Sequence, residues 1–363
     1  MKILFIEPHP TEGPSSRYRV EQYVPYFESN GIKCIVRPFV SSKFYKIIYK
    51  KGFYLQKIAF FVQSSFRRLL DIFIATKSDI IFVHLEAFPF GPPLFEWIFK
   101  KIGKKIIYDL DDAIYIRNAS PANRFLKYLK YPSKIKNILK IADHVITCNE
   151  YLAVYASKYN KNVTVIPTSV NTEKFTPKIK EAAGDITIGW IGSYSTGRYL
   201  EELRSVFYCL AKQYKFVLKI IGAGEVGIES QGINLIKLDW SLADEIQQFQ
   251  SLDIGVYPLP DNEWTRGKTG FKTIQYMSVD IPCVVSNVGT NRCIVQDGVN
   301  GYLAKTEEDW VEKISKLIED AELRKKIGLA GRRTVEEKFS LKVNALKNLE
   351  IIKNLSKKGV LSL

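Results

Sequence analysis

The sequence lacks the cysteine patterns of metal and redox centres. Its five cysteines are odd in number and far apart, and no C-x-x-C pair occurs: Cys34, Cys148, Cys209, Cys283 and Cys293. Such spacing is not typical of a zinc site, a redox pair or a disulfide framework. We therefore expect reduced thiols and a cytoplasmic protein.

A long apolar run is absent as well. Nowhere do about 18 uncharged apolar residues follow one another, the length that a bilayer-spanning helix needs. Residues 1–7 form a short apolar run that a carboxylate ends, which predicts a β-strand rather than a signal peptide. Membrane contact is accordingly expected to be peripheral, on the inner face of the plasma membrane.

Acidic residues are scarce in the first half of the chain. The 363 residues include 53 Lys and Arg against 38 Asp and Glu, a net charge of +15. Residues 1–170 hold 26 basic and 13 acidic residues and the remainder 27 and 25, so nearly all of the excess lies in the first half. This asymmetry predicts that the first half faces a polyanionic surface.

Short apolar runs alternate with amphipathic stretches in both halves. Strands are predicted at 2–7, 33–38, 79–84, 105–108, 144–147, 163–166, 186–191, 216–221, 233–238, 254–257 and 282–286. Strand–helix alternation favours parallel sheets with right-handed crossovers. We expect an α/β protein with two Rossmann-like, doubly wound lobes at 1–168 and 169–340, joined near the proline-bracketed segment 165–177. A C-terminal helix and tail, 341–363, could pack across the lobes.

Ligands of such sheets collect where strands end, and two places in the first lobe follow predicted strands. The loop over 7–19 contains Gly13 and Arg17, which suit an anion, although a solvated turn with a serine helix cap is an equal alternative. Asp109 and Asp111 form a D-x-D run, and Asp112 follows it. Such carboxylates could bind a metal, hydrogen-bond a substrate hydroxyl or act as a base, or cap a helix.

Two further places lie in the second lobe. Gly192, Ser193 and Arg198 stand in a Gly/Ser/Thr loop between a strand and a helix, suited to phosphate or simply a tight turn. The spacing is not G-x-G-x-x-G, so a plain dinucleotide fold is disfavoured. The densest cluster is basic and precedes an apolar helix: Arg266, Lys268, Lys272 and Gln275. A phosphate and ribose site is favoured there over a solvated basic turn.

Two segments contain several basic residues and no Asp or Glu. Residues 41–70 hold seven basic residues and eight Phe or Tyr, and residues 124–140 hold six basic residues. Aromatic and basic residues together are typical of an anionic membrane surface. A solvated helix is the main alternative. No nucleic-acid motif accompanies the pattern, and no nucleic acid is expected.

In their order along the chain, the segments 165–177, 188–196, 270–286 and 296–304 resemble the landmarks of the family-4 glycosyltransferases, which are retaining enzymes of the GT-B fold. Segments 15–20 and 108–115 are similar to a subgroup of that family. The resemblance implies transfer of a sugar, of hexosyl type, from a nucleotide-diphosphate sugar to a lipid-linked or cell-envelope glycan acceptor. It implies no metal and no cofactor, and it suggests polysaccharide biosynthesis.

The chain departs from that family's donor-binding pattern. Ser193 stands where an Arg is usual, Arg198 where a Lys is usual, and Gly267 and Gln275 where two glutamates are usual. Asp111 stands where a His often contacts the transferred sugar. The resemblance thus implies donor binding by the second-lobe residues and catalysis involving Asp111, Asp112 and Lys272. A non-catalytic, nucleotide-sugar-binding partner subunit and a sugar-nucleotide epimerase remain alternatives.

Overall fold

The computed structural model describes residues 1–50, 52–116, 131, 133–177, 184–194, 196–230 and 232–357. These residues divide into two compact units, Met1–Thr168 with the chain from Asn344 onward, and Ser169–Val343. No helix among the described residues is both long enough and apolar enough to cross a membrane.

The first unit contains a parallel sheet, six-stranded over the described residues, in the order β2-β1-β3-β4-β5-β6. Its strands are β1 Lys2–Glu7, β2 Lys33–Pro38, β3 Ile80–His84, β4 Lys105–Leu110, β5 His144–Thr147 and β6 Val163–Val165. Its helices are α1 Pro14–Arg19, α2 Val24–Ser29, α3 Ser42–Ile48, α4 Tyr54–Thr76, α5 Leu94–Lys101, α6 Ser133–Ile141 and α7 Glu150–Ser157. The winding direction reverses between β1 and β3, which is where open α/β sheets bind ligands.

The second unit repeats this architecture in the order β12-β11-β10-β7-β8-β9. Its strands are β7 Ile186–Ile191, β8 Phe216–Ile221, β9 Asn234–Leu238, β10 Ile254–Tyr257, β11 Cys283–Ser286 and β12 Tyr302–Ala304. Its helices are α8 Arg204–Ala211, α9 Glu245–Gln250, α10 Glu263–Arg266, α11 Phe271–Ser278, α12 Asn291–Ile294, α13 Glu307–Glu319 and α14 Ala321–Thr334, and α15 Leu341–Lys357 follows. Here the reversal lies between β7 and β10.

The doubly wound α/β fold predicted from the sequence is confirmed. Every predicted strand is present, with ends that shift by no more than two residues, because parallel strands buried on both faces are continuous apolar runs. Strand β12 was not predicted. It has three residues, too few to show a period.

The segment after the boundary between the units is well packed. Val170 is fully buried and its N–H donates to Phe339 O over 3.0 Å. Arg332 donates to the carbonyl of Thr172 over 2.8 Å and to that of Phe175. The sequence predicted a connection with little core over 165–177, and this is wrong from Ser169 onward, where the chain is fixed within the second unit.

Candidate functional sites

A polar cluster occupies the point of reversal in the first unit. Asp109 comes from β4 and Asp111 follows that strand, His84 ends β3, and α1 supplies Ser15 and Arg19. His84, Asp109 and Arg19 are each at most 5% exposed, and Asp111 is 7% exposed. We call these five residues the Asp111 cluster.

One end of the Asp111 cluster is a buried ion pair. Arg19 donates from Nε to Asp109 Oδ2 over 3.1 Å and from Nη2 to Oδ1, and its Nη1 donates to Ile166 O over 2.7 Å. Burial alone would raise the pKa of Asp109, but Arg19 and His84 together lower it. Asp109 is therefore a fixed negative charge in a dry site.

At the other end of the Asp111 cluster, His84 and Ser15 connect Asp109 to Asp111. His84 Nδ1 lies 2.7 Å from Asp109 Oδ2, and His84 Nε2 lies 2.6 Å from Ser15 Oγ. Ser15 Oγ also donates to Asp111 Oδ2 over 2.8 Å. Within the described residues, Asp111 Oδ1 is buried and has no hydrogen-bond partner. The cluster thus presents one carboxylate oxygen that can still accept a hydrogen bond.

The neighbouring side chains at the end of β1 are uncharged at neutral pH. Burial, together with the nearby charge of Glu21, raises the pKa of Glu7 to about 9. Burial also lowers the pKa of His9 to about 4. Both groups are neutral near pH 7, so the charge of this site comes from the Asp111 cluster.

The predicted anion loop is shaped by Gly13. A Cβ at this position would lie 2.5 Å from His9 Cβ, so only glycine allows the loop to pass so close to that ring. Arg17 Nη1 donates to Thr11 O over 2.8 Å, and its guanidinium lies 4.7 Å from the centre of the Tyr18 ring. Anion binding by Gly13 and Arg17 stays a prediction.

The D-x-D run does not present two equivalent carboxylates. Asp109 is engaged by Arg19 and His84, whereas Asp111 bonds to Ser15 and Asp112 is half-buried. Over the part of the chain that the structure describes, no group of three or more His, Cys, Asp or Glu side chains has the arrangement of a metal site. A role for Asp111 or Asp112 in catalysis stays a prediction.

The second unit places its Gly/Ser/Thr loop at the end of β7. Gly192 N–H donates to Ile221 O over 3.0 Å, and Ser193 N–H donates to Thr196 Oγ1 over 3.3 Å. A Cβ at Gly192 would lie 2.2 Å from the Trp190 ring and 2.6 Å from Lys272 Nζ. Glycine is required here because its missing side chain leaves the space that the Lys272 amine occupies.

Lys272 is the centre of the second candidate site. Its Nζ lies 4.4 Å from the centre of the Trp190 ring and 5.0 Å from that of Tyr257, and it donates to Thr196 Oγ1 over 3.2 Å. Burial, with a smaller contribution from Lys268, lowers its pKa to about 7. No carboxylate among the described residues forms an ion pair with it. The site is a cation held by aromatic faces.

The other predicted donor residues differ in how they are held. Lys268 Nζ lies 4.8 Å from the centre of the Trp264 ring. Arg266 is exposed and its Nε lies 2.6 Å from Asp261 Oδ1. Arg198 is also exposed and donates from Nη2 to Tyr199 Oη over 3.2 Å. Gln275 is 6% exposed. Donor binding by these residues stays a prediction.

Sequence reasoning missed several members of both sites. Of the Asp111 cluster it did not single out His84, and around Lys272 it did not single out Trp190 or Tyr257. Arg19 and Asp109 stood in the loop and the D-x-D run that it considered, but their pairing with each other was not predicted. His84 and Tyr257 end predicted strands, so the rule that ligands collect at strand ends could have found them. Trp190 carries no such signal, because its partner Lys272 is distant in sequence.

The segment 41–70 forms α3 and most of α4. Helix α4 carries an apolar stripe on one face, with side chains that are 44% to 84% exposed: Leu55, Ile58, Val62, Phe66, Leu69, Leu70 and Phe73. Not every basic residue of the segment faces outward. Arg68 is 1% exposed and pairs with Asp71 over 3.0 Å, so it stabilises the fold instead.

The second basic segment, 124–140, lies partly outside the described residues, at 124–130 and 132. Of its described part, Lys134 is 2% exposed and pairs with Glu86 over 3.1 Å. The segment was expected to face a membrane, and this is wrong for Lys134, because its ammonium is buried and paired.

Comparison with solved structures identifies the fold. Over nearly its whole length, the chain has the fold of a glycosyltransferase from Rickettsia africae, with a TM-score of 0.69, 16% identity and coverage of 97% of this chain and 98% of that one. The same fold occurs in HepE of Anabaena, solved with UDP-glucose, with a TM-score of 0.69, 14% identity and coverage of 98% and 100%. The two doubly wound units therefore define a GT-B fold.

A family model matches part of the sequence. Residues 185–320 match the model of the glycosyl transferases group 1. It is 27% identical to the capsular polysaccharide biosynthesis glycosyltransferase CapM of Staphylococcus aureus over 173 residues, which cover 44% of this chain and 43% of CapM. The chain spans about half the length of the curated relatives it matches.

Proposed function

We propose that this protein transfers a sugar from a nucleotide-diphosphate sugar to a hydroxyl of a lipid-linked or cell-envelope glycan, with retention at the anomeric carbon. The observation that carries the proposal is the environment of Lys272. Its amine lies beside the Gly192 loop and between two aromatic rings, without a carboxylate partner among the described residues. The match of residues 185–320 to the glycosyl transferases group 1 supports the reaction, and the UDP-glucose complex of HepE supports the donor class.

Lys272 suits a diphosphate because its charge is uncompensated. Its pKa of about 7 means that the amine is only partly protonated without a ligand, since burial disfavours the charged form. An anion placed against Nζ favours the ammonium form, so donor binding takes up a proton. As the bond from sugar to phosphate breaks, negative charge grows on the leaving diphosphate, and a preorganised ammonium stabilises it.

The remaining donor residues are proposed around this centre. Gly192 and Ser193 bring backbone N–H groups to the phosphates, and Lys268, Arg266 and Arg198 add positive charge. Gln275 replaces a carboxylate as the partner of a ribose hydroxyl. These cations supply the charge that a divalent ion would otherwise supply, so we expect transfer without a metal.

In the first unit we propose that Asp111 contacts the reacting sugar or the acceptor hydroxyl. Its unpartnered Oδ1 can accept a hydrogen bond, and Ser15 fixes the other oxygen. Asp112 is proposed to assist, and Gly13 and Arg17 to bind an acceptor phosphate.

A nucleotide-release assay tests the proposal. The purified protein is incubated with UDP-, GDP- and ADP-sugars, with and without a membrane lipid extract, and with EDTA in one arm. We expect release from one donor that rises with lipid and survives EDTA. Release that needs no acceptor would point to an epimerase, and release abolished by EDTA would contradict the metal-independent mechanism.

Gly267 and Gln275 favour a second candidate, a nucleotide-sugar-binding partner subunit without activity, because the family's two glutamates are missing there. Such a protein binds a donor, seen as a rise in melting temperature, but releases no nucleotide. That combination of results would replace the transferase proposal.

The acceptor is proposed to be reached at an anionic membrane surface through α3 and α4. The apolar stripe of α4 is exposed over the residues from Leu55 to Phe73, and residues 41–70 contain no acid. A cleft of about 440 Å³ beside the stripe is lined by Lys43, Lys46 and Phe60, with Ile47, Gln56 and Ala59. Apolar side chains in the acyl boundary and lysines at the phosphate level suit such a surface.

Vesicle sedimentation tests this surface. Phe66→Glu introduces a charge into the stripe, and Val154→Glu on α7 is the matched control because the two side chains are 63% and 64% exposed. Phe66→Glu should weaken binding to phosphatidylglycerol vesicles about 10-fold or more, whereas the control should bind like the wild type. Equal binding by both variants, or equal binding to phosphatidylcholine vesicles, would contradict the proposal.

A further inference from the structure

The cleft between α3 and α4 is a groove between two packed helices, and we call it the α3–α4 cleft. Each helix contributes residues spaced three and four apart, which share one helical face. These lining residues are Lys43, Lys46 and Ile47 from α3, and Gln56, Ala59 and Phe60 from α4. The rings of Phe44 and Phe60 are stacked with their centres 5.7 Å apart, so aromatic packing holds the two helices together.

The two charges of the α3–α4 cleft are both positive. None of its lining residues is acidic. Over the residues that the structure describes, neither Lys43 nor Lys46 forms an ion pair or a hydrogen bond through its ammonium group. Both lysines are exposed, so water screens their attraction for a small anion. A ligand that binds here therefore needs apolar contact in addition to negative charge.

Apolar side chains continue from the cleft along α4. Leu55 lies one helical turn before Ala59 and is 84% exposed. Ile58 lies one turn before Val62, and the two side chains are 60% and 61% exposed. An apolar chain that leaves the cleft past Ala59 thus meets apolar side chains. The ligand that fits both features is an anionic group on a long apolar chain.

The spacing of the two lysines indicates which anionic group fits. Lys43 and Lys46 lie three residues apart on α3, so both ammonium groups can reach a single ligand group. A phosphate monoester carries a charge of about −1.5 to −2 near pH 7. A diphosphate is also multiply charged, whereas the phosphodiester of an ordinary phospholipid carries a single charge. The cleft therefore suits a phosphate or diphosphate at the end of a lipid better than a bulk phospholipid.

Helix α3 also contacts the loop that leads to the Asp111 cluster. The centre of the Tyr45 ring lies 5.6 Å from that of the His9 ring, and Ser42 Oγ donates to Glu12 over 3.1 Å. This loop continues into α1, which supplies Ser15 to the Asp111 cluster. A lipid phosphate held by α3 is therefore beside the loop of the candidate acceptor site, where a bulk phospholipid has no function.

We propose that the α3–α4 cleft binds the phosphate or diphosphate group, and the adjoining chain, of the lipid that carries the acceptor. Lys43 and Lys46 bind the charged group, Ala59 and Phe60 contact the first part of the chain, and Leu55 contacts its continuation. This is binding of one lipid at one place, in addition to the general attraction of α4 to a membrane. The role as acceptor carrier rests on the proposed transferase function, whereas the binding itself does not.

Soluble single-chain probes test the site on the full protein. Decyl phosphate, below its micelle-forming concentration, combines the multiply charged group with a chain. Decyl sulfate has the same chain with a single charge, decanol has no charge, and inorganic phosphate has no chain. In calorimetric titration at pH 7.5, decyl phosphate should bind about 10-fold or more tightly than each of the other three. Equal binding by any of them, or no saturable binding of decyl phosphate, would overturn the proposal.

Paired lysine variants distinguish the cleft from the general charge of the two helices. Lys43→Gln with Lys46→Gln removes the cations of the cleft and should weaken binding of decyl phosphate about 10-fold or more. Lys50→Gln with Lys57→Gln removes the same charge nearby from residues that do not line the cleft. This control pair should change the affinity by less than about 2-fold. Equal weakening by both pairs would show diffuse attraction and overturn the site.

A substitution that fills the cleft leaves every charge in place. Ala59→Phe should weaken binding of decyl phosphate about 10-fold or more, because its ring takes space that the chain needs. Gln63→Phe adds the same ring to an exposed position of α4 that does not line the cleft, and it should bind like the wild type. Wild-type affinity in Ala59→Phe would place the ligand elsewhere and overturn the proposal.

Nucleotide release in the presence of a membrane lipid extract tests the carrier role separately. Lys43→Gln with Lys46→Gln should raise the KM for the lipid extract and leave kcat unchanged, because the reacting groups are untouched. Release equal to that of the wild type at every lipid concentration would overturn the carrier role. Absence of release from every donor in the wild type would overturn the transferase function instead, and the binding of decyl phosphate would still decide the lipid site.

Discussion

The two candidate sites lie at equivalent points of two similar sheets but hold their charges in opposite ways. In the first unit, Arg19, Asp109, His84 and Asp111 form a chain in which each side chain contacts the next directly or through Ser15. In the second unit, Lys272 has aromatic faces and a hydroxyl instead of a carboxylate. The Arg19 charge is paired with a carboxylate within the chain, whereas Lys272 has no ion-pair partner among the described residues.

Among the substitutions considered, removal of Arg19 should cause the largest loss of stability. Arg19→Met leaves Asp109 buried without its cation and should lower the free energy of unfolding by about 3–5 kcal/mol. Arg266→Met removes an exposed ion pair with Asp261 and should cost less than about 1 kcal/mol. Urea denaturation of both variants measures the difference, and similar losses would contradict the contrast between a buried and an exposed pair.

Removing Lys272 should affect the ligand more than the fold. Lys272→Met should weaken binding of a nucleoside diphosphate about 10- to 100-fold, because a hydrogen-bonded ion contact is worth about 1.5–3 kcal/mol. It should not lower the free energy of unfolding, since a cation without a carboxylate is replaced by an apolar chain of similar length. Calorimetric titration measures the affinity, with Lys212→Met on the exposed end of α8 as the control. Unaltered affinity would exclude Lys272 from the donor site.

The same calorimetric titration should also detect proton uptake on binding. At pH 8 the Lys272 amine is largely neutral, because its pKa is about 7, and an anion must restore its proton. Binding should therefore take up close to one proton for each donor, measured from the heats in buffers of different ionisation enthalpy. The loss of this uptake in Lys272→Met would assign it to the amine.

The smallest effect is a pair of opposite pH dependences of stability. The pKa of Glu7 is raised from 4.5 to about 9, so the folded chain retains a proton that the unfolded chain releases, and stability falls between these values as pH rises. The pKa of Lys272 is lowered from 10.5 to about 7, so the folded chain releases a proton that the unfolded chain retains, and stability rises between about pH 7 and 10.5. Each slope is at most about 1.4 kcal/mol per pH unit.

Between pH 7 and 9 these two contributions oppose each other in the wild type. In Glu7→Gln only the Lys272 contribution remains, so the free energy of unfolding should rise with pH. In Lys272→Met only the Glu7 contribution remains, so the free energy of unfolding should fall with pH. Urea denaturation at pH 7, 8 and 9 distinguishes them. Identical slopes in all three proteins would show that neither group is shifted as the structure indicates.

The sequence predicted the fold well because its signals are local. An apolar run of four to six residues between polar stretches is visible in the letters themselves, and every predicted strand is present. Lys272 could be singled out because it stands among glycines and cations ahead of an apolar helix. The Trp190 ring beside it could not, because Trp190 belongs to an apolar strand that is expected to be core, whereas the position of Tyr257 at a strand end was a usable signal.

The Asp111 cluster shows more clearly that contacts between distant parts of the chain cannot be predicted from the sequence. Asp111 lies in a visible D-x-D run, but the run does not reveal that its first member is engaged by Arg19. Nor does it show that the second is linked through Ser15 to His84. These contacts join α1, β3 and β4, which are far apart in the chain and come together only in the folded sheet. Prediction from spacing therefore finds the residue but not its partners.

The position of the Lys272 amine over the Trp190 ring gives the protein an intrinsic optical reporter. The emission of an indole depends on charge held near its face, and here the ammonium lies 4.4 Å from the ring centre. A ligand that draws the amine away from the ring, or changes its protonation, alters the fluorescence of that tryptophan without any added dye. Occupancy of the second site can thus be followed in real time, in the same cuvette in which turnover is measured.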